Sequence, residues 1–318
     1  RGCNALEKTN FMGDIADWCD IKFGGAYANP ISASYNFYLN DSEVKDLVIP
    51  NTVDSIHAYA FDCGNSITSV ALPNSVVYIG EGAFYRTYIN EIIIPKSVTS
   101  IEERVLSGCN ALTSIIVEEG NPVYDSRDNS NAIIETNSNT LIAGCVTTDI
   151  PNTIMHIGPY AFSYLSSLKA VEIPNNVITT GNYAFYACSY LESITIPNSI
   201  SHIGDGALYA CYSLNSIVVE EGNSVYDSRN NCNAIIETTT NSLIVACQNT
   251  IIPNSVTNSV EDAFFNCRNI TSITLPNSVT NIEPFAFDFC SSLDTIYCYS
   301  TTPPTIHKYS FDNYNATL

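Results

Sequence analysis

Histidine is the first residue type to consider for acid–base or nucleophilic chemistry. This 318-residue chain has four histidines: His57, His156, His202 and His307. His156 and His202 occupy the same position, five residues after a proline, in repeated stretches of sequence. This repetition indicates a column of solvated residues on a convex surface rather than a catalytic pair. The sequence contains no serine-hydrolase elbow, no zinc-protease motif and no phosphate-cradling glycine loop.

Two pairs of neighbouring glutamates could supply general acid–base catalysis. Glu118 and Glu119 end one predicted strand, and Glu220 and Glu221 end another. Adjacent residues of a strand point to opposite faces, so the two carboxylates of a pair would not share a site. We therefore interpret both pairs as structural surface charge.

Metal and thiol chemistry are the remaining candidates. The twelve cysteines contain no Cys-x₂-Cys pairs with zinc-site spacing. Residues 125–131 lack the glycine and the final glutamate of a calcium loop, and weak cation binding there is a minor hypothesis. We expect no metal and no cofactor.

Most cysteines fall in register with the repeats and are expected to be reduced core residues, because buried free cysteine behaves as a small hydrophobe. One repeat position holds Cys3, Cys109, Cys188, Cys211, Cys267 and Cys290, and inward strand positions hold Cys145, Cys247 and Cys298. Cys19, Cys63 and Cys232 fit the register less well. These three are the candidates for a disulfide or a reactive thiol.

The charge balance excludes two classes of partner. The chain has 32 acidic and 12 basic residues, for a net charge of −20. Nucleic-acid binding needs Lys and Arg to neutralise phosphates, and anionic membranes attract basic surfaces. No apolar run approaches the roughly 20 residues that cross a bilayer, so we expect no membrane insertion in this segment.

The elements that must position any site come from a repeat. Ile/Leu-Pro-Asn recurs, mostly every 23 residues, and each proline follows an alternating apolar stretch. A coil of this length cannot bury its own apolar side chains, whereas stacked coils bury them in one core. The alternation predicts parallel strands with one inward face. Twelve such segments end at residues 11, 49, 72, 94, 117, 150, 173, 196, 219, 252, 275 and 298.

Three coils are longer than the others. Residues 118–150 and 220–252 are near copies, offset by 102, and each is predicted to carry a protruding β-hairpin. Residues 12–49 form an atypical N-terminal coil with the only tryptophan, Trp18. In ordinary coils the return half, such as residues 80–84, is predicted to be a short 3₁₀ or helical turn that inserts Phe84 into the core.

The pattern Pro-Asn-Ser-Val-x-x-Ile-Gly-x-x-Ala-Phe-x-x-Cys-x-x-Leu-x-x-Ile-x-Ile/Leu-Pro resembles the BspA-like leucine-rich repeat over essentially the whole chain. The resemblance implies one right-handed leucine-rich-repeat solenoid over residues 1–318, with a parallel concave β-sheet of about twelve strands. It implies a bacterial cell-surface or secreted protein that acts in adhesion or host interaction, with fibronectin and fibrinogen among family partners. Residues 1–6 match residues 107–112, so we expect a fragment of a longer chain that carries the signal and anchor.

The outward strand positions of the predicted concave face are the candidate binding site. Contiguous exposed apolar surface often marks an interaction site, although Ile and Val also suit strands anywhere. The hairpins at 132–145 and 234–247 are rival sites. The insertion that contains Trp18 is a third rival binding site, but it could equally fill the core at the N-terminal end. The predicted site is an apolar stripe of Val48, Ala71, Ile93 and Ile116, bordered by Glu91 and Glu118.

Together these observations predict a monomeric, non-enzymatic module that binds a protein, such as one of the host extracellular matrix, or a glycan. The acidic border of the stripe suits a partner with a basic rim. The alternative is a rigid acidic spacer that presents another domain and has no ligand of its own. An enzyme would need a cluster of titratable residues, and the sequence offers none.

Overall fold

A computed structural model describes residues 5–259 and 262–311 of the chain. It is a mostly β solenoid of about 11 turns with little helix. Two compact units are present: the first runs to Leu165 and includes Gly181–Phe185, and the second contains Ser166–Thr180 and the chain from Tyr186. The single-domain organisation over 1–318 stays a prediction, and Cys3 lies outside the described residues.

One side of each ordinary coil carries a strand of three or four residues, and these strands form the long-strand ladder. In Glu91–Ile94 the two alternate isoleucines Ile92 and Ile94 are buried, while Glu91 and Ile93 face outward. The strands pair in parallel and in register. The first unit contributes Asp46–Val48, Ser69–Ala71, Glu91–Ile94 and Ser114–Val117, and the second contributes Ser193–Ile196, Ser216–Val219, Ser272–Leu275 and Thr295–Cys298.

Four of the twelve predicted strands are absent from the ladder. The segments that end at residues 150, 173 and 252 have no regular strand, and Thr9–Phe11 pairs with Phe37–Leu39 instead. In the segment that ends at residue 150, side chains replace backbone bonds. Thr147 Oγ1 donates to the Thr113 carbonyl at 2.7 Å. In the duplicated segment that ends at residue 252, Asn249 Nδ2 donates to the Asn215 carbonyl at 3.3 Å. The ladder therefore consists of strand pairs rather than one unbroken sheet.

The other side of each coil carries a two-residue strand, and these form the short-strand ladder. The predicted 3₁₀-type turn follows each strand: in a typical coil the Ala83 N–H donates to the Gly80 carbonyl, an i to i+3 bond. Phe84 is fully buried, as predicted. The short strands are Ser55–Ile56, Tyr78–Ile79, Ser100–Ile101, His156–Ile157, Thr179–Thr180, His202–Ile203, Asn258–Ser259, Asn281–Ile282 and Thr305–Ile306.

The core of each unit contains stacked phenylalanine rings from successive turns. Phe61 and Phe84 stack with centroids 5.7 Å apart, and Phe264 and Phe287 stack at 4.9 Å. Adjacent coils approach so closely that a Cβ at Gly80 would lie 2.5 Å from a backbone nitrogen. The close spacing between coils therefore requires glycine after the isoleucine at this position of the repeat.

The N-terminal coil replaces the repeat with two short helices, Ile15–Cys19 and Ile31–Ser34, and a 3₁₀ helix, Ala26–Ala28. Its first strand, Thr9–Phe11, pairs in parallel with Phe37–Leu39, which turns back antiparallel into Ser42–Glu43. Trp18 is buried. Its Nε1 donates to the Ala60 carbonyl at 2.8 Å. Trp18 is thus a core plug for this coil.

The two long coils contain the predicted hairpins, but the hairpins do not protrude. Strand Thr140–Gly144 pairs in parallel with His156–Ile157, so the hairpin belongs to the short-strand ladder. The hairpin strands are apolar on both faces, as in Ile133 and Ile134, and both residues are fully buried. The strands are Tyr124–Asp125, Ala132–Glu135 and Thr140–Gly144, with the copies Tyr226–Asp227, Ala234–Glu237 and Ser242–Ala246; the 3₁₀ helices Arg127–Asn129 and Arg229–Asn231 join the first two strands of each set.

Asp62 is a buried carboxylic acid in the first unit. Its Oδ2 and the carbonyl oxygen of Ala26 both lie 2.7 Å from Ser32 Oγ. A hydroxyl carries one hydrogen and cannot donate to both acceptors. Burial raises the pKa of Asp62, against the opposing effect of the Ser32 hydrogen bond. Protonation of Oδ2 would resolve this conflict, because Asp62 would donate to Ser32, which would then donate to Ala26.

Replacement of Asp62 by asparagine should raise the melting temperature at pH 7. A carboxyl whose pKa is raised by folding contributes most stability below its unfolded pKa of about 3.9, and that contribution is lost as the pH rises through the folded value. The difference between Asp62→Asn and wild type should therefore grow from pH 3 to pH 8 in thermal melts. The exposed control Asp54→Asn should show no such growth. A variant several degrees less stable at pH 7 would contradict the argument.

Removal of one stacked ring should destabilise the first unit. Phe84→Ala leaves a large cavity and should lower the free energy of unfolding by about 3–5 kcal/mol, measured by urea denaturation. Tyr88→Ala, four residues along the same coil at an exposed position, should cost much less. Equal losses in both variants would show that the ring stack is not the main source of stability.

Candidate functional site

The predicted apolar stripe lies on the outward face of the long-strand ladder in the first unit. Val48 is opposite Ala71 on one strand pair, and Ile93 is opposite Ile116 on the next. All four side chains are exposed, with Val48, Ile93 and Ile116 at 63%, 42% and 43% of full exposure. The inward neighbours of these residues are packed in the core, so the strands hold the stripe rigidly.

Two carboxylates flank the stripe, in the column two residues earlier along the strands that also contains Ser69 and Ser114. Asp46 Oδ1 accepts a hydrogen bond from Ser69 Oγ at 2.6 Å, and Glu91 Oε2 accepts one from Ser114 Oγ at 3.0 Å. Both acids are exposed. The stripe therefore has an acidic border whose side chains are held in place by serines of the next strand.

Glu118, the other residue predicted to border the stripe, makes a contact within the first unit. It is half-buried, and its Oε2 accepts the backbone N–H of Lys96 at 3.0 Å. The duplicated coil repeats this contact, with Glu220 Oε2 accepting the Asn198 N–H at 3.1 Å. Glu118 thus links its coil to the turn of the previous coil, and its Oε2 atom already accepts a hydrogen bond there.

A depression of about 510 Å³ lies beside Val48 and was not predicted from the sequence. Ile15 and Leu39 of the N-terminal coil line it together with Glu43 and Val48. The hairpin that contributes Leu39 and Glu43 to this depression reverses at Asn40 and Asp41, which both adopt left-handed backbone conformations. An Asn-Asp pair between two short strands is a hairpin signal that the sequence does contain.

The strands of the rival hairpins and the Trp18 side chain pack into the core, whereas the hairpin turns at 136–137 and 239–240 are exposed. The hairpin strands at 132–144 and 234–246 are largely buried, and Trp18 packs against Phe11, Phe23 and Phe37. His156 is half-buried and His202 is exposed, each in a short strand. Within residues 5–259 and 262–311, no three His, Cys, Asp or Glu side chains are grouped closely enough to hold a metal ion.

The eleven cysteines that the structure describes form no disulfide. Cys19, Cys63 and Cys232, the candidates for a disulfide or a reactive thiol, are buried and form no disulfide. Burial raises the pKa of Cys19 and Cys63 to about 12 and that of Cys232 to about 11, which suppresses the thiolate. Cys298, predicted to point inward, is exposed, because its strand pairs on one side only within the described chain.

Arginine and tyrosine side chains form a second surface cluster beside the turns of the first unit. The Arg86 guanidinium lies 4.3 Å from the centroid of the Tyr164 ring, and Arg104 lies 5.0 Å from Tyr85. Arg104 also pairs with Glu81 at 3.6 Å. These cations are engaged by aromatic faces and a carboxylate of their own unit, so the cluster links successive coils.

A family model described as the BspA type leucine rich repeat region, with six copies, matches residues 32–135, 134–244 and 230–317. The chain belongs to this BspA-type leucine-rich-repeat family. Repeat solenoids of this family are typically non-catalytic and serve protein interaction or adhesion. The search of curated proteins found no match.

Solved structures of bacterial leucine-rich-repeat proteins share the fold. A leucine rich cell surface protein of Faecalibacterium prausnitzii A2-165 is 28% identical with a TM-score of 0.55, and the match covers 81% of this chain and 61% of that one. The chain thus spans about three fifths of that protein. A leucine-rich repeat protein of Eubacterium ventriosum ATCC 27560 is 20% identical with a TM-score of 0.59, covering 94% and 88%. At this lower identity the likeness shows the fold alone.

BspA-type proteins are known from bacterial surfaces. Among the described residues of this BspA-type chain, none of the helices has the length and apolar character needed to cross a membrane.

Proposed function

We propose that this BspA-type chain is a monomeric, non-enzymatic protein-binding module of a bacterial cell-surface or secreted protein, and that the apolar stripe binds the partner. The observation that carries the proposal is the row Val48, Ala71, Ile93 and Ile116, exposed on rigid paired strands. Burial of apolar surface contributes about 25 cal/mol per Å², so a rigid exposed row is a favourable contact surface.

The acidic border supports a partner with a basic rim. Asp46 and Glu91 are exposed beside the stripe, and the chain carries a net charge of −20. Complementary charge accelerates association and sets orientation more than it adds affinity. The partner would place an apolar ridge on the stripe and lysines or arginines beside the carboxylates.

A host extracellular-matrix protein is the partner class that we propose. The family resemblance supports adhesion to proteins such as fibronectin and fibrinogen. The 28%-identical Faecalibacterium protein is described as a cell surface protein, which supports the same location for this chain. The competing function is a rigid spacer with no ligand of its own.

The double variant Ile93→Ser with Ile116→Ser should weaken binding by at least about tenfold, because it removes two adjacent apolar contacts from the interface centre. Binding would be measured by surface plasmon resonance against immobilised fibronectin, fibrinogen and collagen at physiological salt. Val218→Ser is the matched control: it holds the equivalent strand position 102 residues later and is 45% exposed.

Unchanged affinity of the double variant would refute the stripe as the site, and loss in Val218→Ser alone would move the site to the second unit. No saturable binding by wild type would favour the spacer. Light scattering on wild type and on the double variant tests the prediction that the chain is monomeric. Self-association through the stripe would be seen in wild type and lost in the double variant.

Neutralising the border should change the rate of association and leave dissociation nearly unaffected. Glu91→Gln removes one charge but keeps an oxygen that can accept the Ser114 hydrogen bond. For a partner with a basic rim, the association rate should fall and should depend less on salt concentration. A faster association in this variant would indicate an acidic partner instead.

A further inference from the structure

The second unit carries a groove on its outward strand face that the proposed protein contact does not use. The groove has a volume of about 320 Å³ and lies between residues 250–254 and the strand Ser272–Leu275, with Tyr299 also lining it. This volume is at the lower end of the range of about 300–1,000 Å³ for small-molecule sites. Its size suits a short sugar unit rather than a folded partner.

The lining contains no charged side chain. Asn254, Ser272, Thr274 and Asn277 are exposed, and their side chains make no hydrogen bond within the described chain. Thr250 differs, because its hydroxyl already donates to the Asn233 carbonyl. Two hydroxyls and two amides are therefore available to donate to and accept from a ligand.

Two apolar surfaces complete the groove. The Tyr299 ring is 68% exposed and Ile251 is 72% exposed. Aromatic rings present a flat apolar face, and the tyrosine hydroxyl adds a polar tip. A sugar ring has an apolar C–H face and a hydroxyl edge. It would place its C–H face on Tyr299 and its hydroxyls against the free amides and hydroxyls.

The uncharged surface continues beyond the groove along the outward positions of the second unit's strands. These positions are Ser193, Thr195, Ser216, Val218, Thr295 and Tyr297. None of these outward side chains is charged, although the whole chain carries a net charge of −20 and Asp294 accepts a hydrogen bond from Thr295 at the margin of this surface. The stripe of the first unit has an acidic border, so the two faces suit different ligands.

We propose that this groove binds a neutral oligosaccharide, with Tyr299 stacked on one sugar ring and Asn254, Ser272, Thr274 and Asn277 bonded to its hydroxyls. The proposal goes beyond the protein-binding function of the stripe and does not depend on it.

The test uses saturation-transfer NMR and calorimetry on the full chain. The probes are lacto-N-tetraose, cellotetraose and mannotetraose, with sialylated and sulfated lacto-series sugars as charged comparisons. Wild type should bind at least one neutral probe saturably and should prefer it to the charged sugars. Tyr299→Ala and Thr274→Asp should each weaken that binding by about tenfold or more, which is about 1.4 kcal/mol. The control Tyr190→Ala removes an exposed tyrosine of the same unit outside the groove and should bind as wild type does.

Several outcomes would overturn the proposal. They are the absence of saturable binding to every neutral probe, preference for a charged sugar, or equal losses in Tyr190→Ala and Tyr299→Ala. Melting curves of each variant establish that it is folded. The Ile93→Ser with Ile116→Ser variant should keep its sugar binding. Loss of sugar binding in that variant would place the site on the stripe and exclude the groove.

Discussion

The structure depends on one contact that recurs in both units, the stacking of a phenylalanine ring on its counterpart in the adjacent turn. Phe61 on Phe84 and Phe264 on Phe287 have nearly parallel planes. A single coil offers its ring no apolar environment, so the ring becomes buried only when the next coil is in register. That requirement fixes the spacing of the coils, explains the glycine at Gly80 where backbones meet, and makes every coil dependent on its neighbours.

Register in the core produces order on the surface. Because each strand is aligned with the next, residues at equivalent positions form columns, and a column takes the character of its residue type. Isoleucine and valine give the stripe, while serine, threonine and asparagine give an uncharged face. Side-chain bonds between neighbouring strands of one column, such as Ser69 to Asp46, further restrict these surfaces. A repeat solenoid can therefore carry several independent sites without any change in its backbone.

The repeat predicts the solenoid, the inward and outward positions and the exposure of Ile93 and Ile116, because these follow from period and alternation. It does not predict details that depend on neighbouring coils. Cys298 is inward by register but exposed, since coverage depends on what packs beside it. The hairpins were expected to protrude, whereas Ile133 and Ile134 are buried on both faces of the ladder. Trp18 lies in a segment that does not follow the repeat, so the repeat pattern could not predict its hydrogen bond to Ala60.

The buried thiols make the chain a set of internal reporters. Most coils contain a free cysteine, and burial keeps thiols such as Cys109 and Cys290 protonated, with pKa values near 11 and 12. An unfolded cysteine has a pKa of about 8.5 and reacts readily. The alkylation rate of each thiol thus measures how often its own coil opens. Compared along the chain, these rates distinguish fraying coil by coil from opening of a whole unit at once. The buried thiols have a second consequence. If the chain is exported to an oxidising compartment, each coil must fold before an oxidant reaches its cysteine.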